Sequence, residues 1–70
     1  MTTTTIEYTS EKGLTGTLYN WHQGFDGGWA YEMSVRNRGG VELLHAYNAA
    51  PKNLEELKKV VEWVERSNQA

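Results

Sequence analysis

The chain lacks the covalent and metal-binding residues that stabilise many small proteins. None of its 70 residues is cysteine, so disulfide bonds and thiolate metal sites are excluded. Its two histidines, His22 and His45, are a poor basis for a zinc site without cysteine nearby, and we expect neither a metal nor a cofactor. Residues 1–70 are predicted to form one domain. Its core would be small, and formation of a homodimer is one way to gain further stability.

Long apolar segments are also absent. No part of the sequence approaches the roughly 20 apolar residues that a membrane-spanning helix needs. The first residues, Met-Thr-Thr-Thr-Thr, contain neither the basic region nor the apolar region of a secretory signal. We therefore expect a cytoplasmic protein that does not bind a membrane.

Neither sign of charge dominates the composition. Nine acidic and seven basic residues give a net charge of −2. Binding through the nucleic-acid backbone usually requires a clear basic excess, so the composition favours a protein partner over a nucleic acid. Aromatic residues are plentiful, with three Trp, four Tyr and one Phe. In so short a chain they first serve to fill the core, and those left exposed are candidates for contact with a partner.

The C-terminal quarter contains the clearest helix, predicted over residues 53–66. Asn53 is a good N-cap residue, and Glu56 three positions later completes the pattern of a capping box. Apolar residues then recur at helical spacing on one face: Leu54, Leu57, Val60, Val61 and Val64. Trp63 lies to the side of this stripe. It either packs over an edge of the sheet or belongs to a contact surface.

Four segments ahead of the helix have the alternating pattern of β-strands, at about residues 3–9, 14–22, 29–36 and 41–48. The first is either a full strand or a Thr-rich tail with a short strand at its end. For the second, alternation does not decide whether Leu14 and Leu18 or Tyr19 and Trp21 face the helix, and a bulge near Gly16 would change the answer partway along.

Short turns join these segments, so successive strands are predicted to pair as antiparallel neighbours. The predicted fold is α+β: an antiparallel β-meander of three to four strands with one C-terminal α-helix packed on one face. The segment at 29–36 has the cleanest apolar stripe, formed by Trp29, Tyr31, Met33 and Val35, and we expect it to meet the helix. The other face of the sheet has no second helix to cover it.

The sequence contains no recognisable set of nucleophile, base and orienting acid, so we expect no enzymatic activity. Phe25 lies in a glycine-rich loop and either plugs the end of the core or forms an exposed contact. The expected partner-binding surface combines aromatic anchors near this loop with charges on the sheet. Its predicted members are Tyr19, Trp21, Phe25, Glu32 and Arg36.

The order of features resembles small phage and mobile-element proteins. A strand with the sequence Trp29-Ala30-Tyr31-Glu32-Met33-Ser34-Val35 is followed by the turn Arg38-Gly39-Gly40, a further strand and one amphipathic helix. Some anti-CRISPR proteins are built in this way. The resemblance implies a non-enzymatic inhibitor that binds and blocks a larger protein complex, and it assigns no functional residue. The alternatives are a small nucleic-acid-binding sheet protein and a dimeric structural or accessory subunit.

Overall fold

A computed structural model describes residues 5–67 of the chain. Within this range an antiparallel sheet has the strand order β1-β2-β3-β4, and one helix follows it. The elements are β1 (Ile6–Thr9), β2 (Thr15–Gln23), β3 (Trp29–Arg36), β4 (Glu42–Ala49) and α1 (Leu54–Ser67). The predicted α+β meander is thereby confirmed. The first strand was predicted to begin at residue 3, and positions 3 and 4 lie outside the described residues.

Glycine closes the two hairpin turns at one end of the sheet. In the β1–β2 turn the Gly13 N–H donates to the Ser10 carbonyl at 3.0 Å, and Gly13 has φ +91°. In the β3–β4 turn the Gly40 N–H donates to the Asn37 carbonyl at 3.0 Å, and Gly40 has φ +84°. Residues with a side chain rarely adopt such φ values, which explains glycine at both positions.

The helix packs on one face of the sheet, mainly over β1 and β2, and shares one core with the apolar stripe predicted to meet it. Tyr31, Met33 and Val35 on β3 are buried. They form one core with Leu18 and Ala49 of the sheet and with Leu57, Val61 and Val64 of the helix. Two residues depart from their predicted stripes: Trp29 of β3 and Leu54 of the helix are each about half exposed, at the end where the helix begins.

The face of β2 that alternation left undecided is settled by its pairing. Gly16 lies opposite Val35, and Leu18 lies opposite Met33, so both face the helix. A Cβ atom at Gly16 would lie 2.5 Å from Val61 Cγ2 and 2.9 Å from Leu57 Cδ1. The helix therefore lies closer to β2 than any side chain larger than hydrogen at this position would allow.

The start of the helix is capped as its sequence predicts, with one difference. The Glu56 N–H donates to Asn53 Oδ1 at 2.9 Å, which is the usual N-cap bond. The Glu56 carboxylate reaches back to the N–H of Lys52 at 2.9 Å rather than to that of Asn53. At the other end of the helix the Ser10 hydroxyl donates to Glu65 Oε2 at 2.8 Å and ties the helix to the β1–β2 turn.

Both outer strands have features that disfavour pairing with another chain. β1 has four residues, which is short for a strand that would template a partner. β4 has two irregularities against β3, because its register shifts between Tyr31 and Met33 and again between Val35 and Arg36. Bulges of this kind twist an edge away from a flat partner. Both edges are therefore poor templates for a further strand, and the homodimer stays a prediction.

We expect Gly16→Ala to destabilise the protein by about 1–3 kcal/mol, because the added methyl group overpacks the contact with Leu57 and Val61. Gly39→Ala is the matched control. Its nearest neighbour would be Asn37 Oδ1 at an ordinary 3.4 Å, and its φ is not in the left-handed region. Urea unfolding of both variants measures the difference. Equal stability of the two variants would contradict the close approach of helix and sheet.

Candidate functional site

A β-bulge in β2 decides which aromatic side chains share a face. Tyr19 lies opposite Glu32 and His22 lies opposite Ala30, so two residues of β2, Asn20 and Trp21, oppose one residue of β3. Asn20 has φ +52°, in the left-handed region that asparagine tolerates better than most residues. Because the bulge interrupts the alternation, Trp21 falls on the helix side of the sheet, whereas Tyr19 and His22 share the open face.

Ring contacts on the helix side confirm the position of Trp21. Its ring centroid lies 4.5 Å from that of Tyr31, a core residue. It lies 6.0 Å from that of Trp29, with an interplanar angle of 15°. Sequence reasoning placed a possible bulge near Gly16, and the structure has it four residues later. Trp21 is therefore not on the same face as Tyr19.

On the open face, a second row of rings runs from the sheet into the β2–β3 loop. The His22 and Tyr47 ring centroids are 4.5 Å apart, and those of Tyr47 and Phe25 are 6.2 Å apart. Phe25 is 91% exposed. The expectation that Phe25 plugs the end of the core is wrong, and the alternative of an exposed side chain is confirmed.

Backbone hydrogen bonds close the loop that presents Phe25. The Gly24 N–H donates to the Gly28 carbonyl at 2.6 Å, and the Gly27 N–H donates to the Gly24 carbonyl at 3.2 Å. The Gly28 N–H also donates to Asp26 Oδ1 at 2.9 Å, and Gly27 has φ +86°. These bonds satisfy polar groups of the loop internally, and the Phe25 side chain at its tip is left exposed.

Four large aromatic side chains are thus exposed at one end of the molecule, which we call the aromatic end: Trp21, Phe25, Trp29 and Tyr47. Their exposed fractions are 40%, 91%, 53% and 53% respectively. Trp29 and Tyr47 were not predicted as site residues. Trp29 was assigned to the core because it alternates with Tyr31 and Met33. Tyr47 had no sequence feature that distinguished it from other strand residues.

The carboxylate of Glu32 forms the centre of a polar cluster further along the open face. Its Oε2 accepts hydrogen bonds from the Tyr19 hydroxyl at 3.1 Å and from His45 Nε2 at 2.6 Å. Its Oε1 accepts one from Asn20 Nδ2 at 3.1 Å. These bonds, first that of Asn20 and then those of His45 and Tyr19, hold the pKa of Glu32 below its ordinary value. The pKa of Tyr19 is raised, mainly by its partial burial and secondly by its hydrogen bond to Glu32.

Both ring nitrogens of His22 face hydrogen-bond acceptors. Nδ1 lies 2.6 Å from the Asn20 carbonyl oxygen, and Nε2 lies 2.8 Å from Asn48 Oδ1. A neutral imidazole donates from one nitrogen only, whereas the protonated ring donates from both. These two acceptors, the Asn20 carbonyl first, therefore raise the pKa of His22. His22 thereby fastens the bulge to β4 through Asn48.

The five predicted site residues do not form one surface. Tyr19 and Glu32 are hydrogen-bonded neighbours on the open face, as expected. Arg36 is on the same face but pairs with Thr15 and Glu42, about 13 Å further along β3 at roughly 3.3 Å per residue. Trp21 is on the opposite face. Phe25 is at the loop tip, near neither charge, so the predicted combination of anchors and charges is divided among three places.

Catalytic geometry is not apparent around the polar cluster. Ser34 lies opposite His45, yet its buried hydroxyl has no hydrogen-bond partner, and His45 Nε2 bonds to Glu32 instead. A serine nucleophile needs a hydrogen bond to its base. Among residues 5–67, no three acidic, histidine or cysteine side chains lie close enough together to hold a metal ion. Over the same residues, the helix is neither long nor apolar enough to cross a membrane.

No protein-family model, curated protein or solved structure matches the chain. The fold is an α+β meander with a single helix on one face. Within residues 5–67, the aromatic end and the polar cluster are the two features that bear on function.

Phe25→Ala and Trp21→Ala are expected to differ in their effect on stability. Phe25 is 91% exposed and lies against the exposed ring of Tyr47, so its removal should change the free energy of unfolding by less than about 0.5 kcal/mol. Trp21 stacks on Trp29, and its ring packs at a tilt against that of the buried Tyr31, so its removal should cost about 2 kcal/mol of unfolding free energy. Urea unfolding measures both values. Similar losses in the two variants would contradict the assignment of Trp21 to the helix side.

We expect the hydrogen bonds to Glu32 to stabilise the protein near neutral pH. Because the folded-state pKa of Glu32 is lowered, this contribution is present above the ordinary carboxyl pKa and is lost as the pH falls through the lowered value. Asn20→Gly removes the hydrogen bond that lowers the pKa of Glu32 most and keeps a residue that accepts positive φ, so this pKa should rise toward its ordinary value. Tyr19→Phe should raise it less. Carbon-13 NMR titration of the carboxyl group measures both shifts, and an unchanged pKa in Asn20→Gly would contradict this geometry.

Proposed function

We propose that the protein is a non-enzymatic protein-binding module and that the aromatic end is its binding surface. The observation that supports this proposal is the exposure of Trp21, Phe25, Trp29 and Tyr47 together. Large aromatic side chains contribute most of the binding energy at many protein interfaces, and burying them again in a complex is favourable. Scattered apolar residues need no explanation, but four large rings at one end of so small a protein do.

Three of the four rings at the aromatic end, those of Trp21, Trp29 and Tyr47, already pack against neighbouring rings in the absence of a partner. Trp21 stacks on Trp29 and packs against Tyr31 of the core, and the ring of Tyr47 lies against that of His22. His22 in turn has hydrogen-bond partners at both nitrogens. Side chains that are already ordered lose little conformational entropy on binding, so more of the contact energy appears as affinity.

A nucleic acid is the competing partner, since bases stack on exposed aromatic rings. Such sites also need cations that follow the phosphate backbone. Among the described residues that line the surface beside the loop, Lys52 is the one cation. Its ammonium group donates to the Trp29 carbonyl at 3.0 Å, and Asp26 lies at the same surface. With a net charge of −2 for the chain, the balance favours a protein.

We further propose that binding inhibits the partner. A small protein that catalyses no reaction can act by occupying a surface of its partner. Occupying that surface blocks the larger complex to which the partner belongs. The order of strands and helix resembles that of some anti-CRISPR proteins. Because of this resemblance, we propose that the protein inhibits a host or defence complex. Localisation in the cytoplasm is proposed with it.

The test begins by capturing partners from the native host with tagged parent protein and identifying them by mass spectrometry. Each captured protein is then purified, and its affinity for the parent, Phe25→Ala and Val41→Ala is measured by calorimetry. Val41 is 59% exposed near the β3–β4 turn and serves as the matched control. We expect Phe25→Ala to weaken binding at least about tenfold, as for an interface anchor, and Val41→Ala to leave it unchanged.

Two results would overturn the proposal. If Phe25→Ala binds every captured protein as tightly as the parent does, the aromatic end is not the binding surface. If the parent instead binds single-stranded DNA or RNA tightly and loses that affinity steeply as salt rises, the nucleic-acid alternative is correct. A protein interface should weaken less with salt, since its main contacts are apolar.

A further inference from the structure

A depression of about 480 Å³ opens at the aromatic end, between the β2–β3 loop and the segment that leads into the helix. Phe25 and Trp29 are among its lining residues and supply large apolar surfaces. Three alanines, Ala30, Ala49 and Ala50, also line it, and Ala30 and Ala49 are buried. Such small side chains leave room for a group from outside, and aromatic and aliphatic walls suit an apolar one.

Three polar side chains share the lining: Asp26, Asn48 and Lys52. Each already has a hydrogen-bond partner within the protein. Asp26 Oδ1 accepts from the Gly28 N–H, Asn48 Oδ1 faces His22, and the Lys52 ammonium donates to the Trp29 carbonyl. Within residues 5–67, Asp26 Oδ2 has no hydrogen-bond donor. The depression therefore combines apolar walls with one available acceptor.

We propose that this depression receives a Trp or Tyr side chain from the partner protein, with its N–H or O–H donated to Asp26 Oδ2. The proposal rests on the function proposed above and specifies the chemistry of the partner's anchor. Trp and Tyr are the side chains that combine a large apolar body with one polar tip, and both are enriched at interfaces.

The charges at the depression select against other occupants. Lys52 repels an Arg or Lys side chain and so offsets the attraction of that side chain to Asp26 and to the aromatic rings. Asp26 repels a carboxylate or phosphate and so offsets its attraction to Lys52. A Phe or Leu side chain would fit the apolar walls but would cover Asp26 Oδ2 without giving it a donor, which is unfavourable. A neutral ring with a donor at its tip satisfies every group.

The test uses capped amino acids as probes and follows the backbone amide signals of the nitrogen-15-labelled protein by NMR. N-acetyl-tryptophanamide and N-acetyl-tyrosinamide should shift the amides of Ala30, Asn48, Ala49 and Ala50. The corresponding Phe probe should bind about tenfold more weakly, as for the loss of a hydrogen bond to a charged group. The Arg and Glu probes should produce no saturable shift.

Two variants, each checked for parental thermal stability, localise the effect. Ala50→Leu fills the depression from an exposed position and should abolish the shifts caused by the Trp probe. Asp26→Asn can keep the acceptor for the Gly28 N–H while turning a donor outward, so it should weaken the Trp probe, whose N–H can only donate, to the level of the Phe probe. Glu11→Gln, in the β1–β2 turn at the far end of the sheet, is the matched control and should change nothing.

The proposal is overturned if the Phe or Arg probe binds as well as the Trp probe, or if Ala50→Leu binds the Trp probe as the parent does. These outcomes are separable from failure of the proposed function. If Phe25→Ala loses affinity for the partner and Ala50→Leu does not, the aromatic end is the binding surface but the depression does not receive the partner's side chain. If both variants bind the partner as tightly as the parent does, the aromatic end is not the binding surface.

Discussion

The helix can lie close to the sheet because Gly16 has no side chain, and the rest of the structure depends on that contact. Val61 and Leu57 occupy the space that a Cβ atom there would need, and both are fully buried. A short chain without disulfide bonds has one small core to stabilise it, so close packing at this point has a large share in its stability. The turns, the helix cap and the Ser10–Glu65 bond hold the elements around this contact.

The same helix leaves the loop end of the sheet incompletely covered, and the β-bulge of β2 determines what is exposed there. Trp21 turns to the helix side and stacks on Trp29, while Tyr19 and His22 remain on the open face. Aromatic rings therefore surround the end of the sheet on both sides. A partner approaching along the axis of the strands would meet all of them, whereas one lying flat on either face would meet half.

Much of the fold could be predicted from the sequence, because periodicity reports burial directly. Met33, Val35, Leu57 and Val61 were placed in the core from spacing alone, and all are buried. The site could not be predicted as well. Strict alternation put Trp21 beside Tyr19, since a bulge depends on the backbone conformation of one residue, Asn20, and leaves no periodic trace. The exposure of loop residue Phe25 depends on how its loop closes, which residue types alone did not decide.

The bulge also matters for comparing this chain with others. Asn20 is an extra residue for the sheet: without it, Tyr19, Trp21 and His22 would alternate regularly and keep their present faces. Its side-chain amide donates to the Glu32 carboxylate, and its carbonyl oxygen lies against His22 Nδ1. A related protein one residue shorter at this point would have the same sheet and a different polar cluster. An ungapped alignment of the two would place half of the strand on the wrong face, so the likeness would be visible in structure before it was visible in sequence.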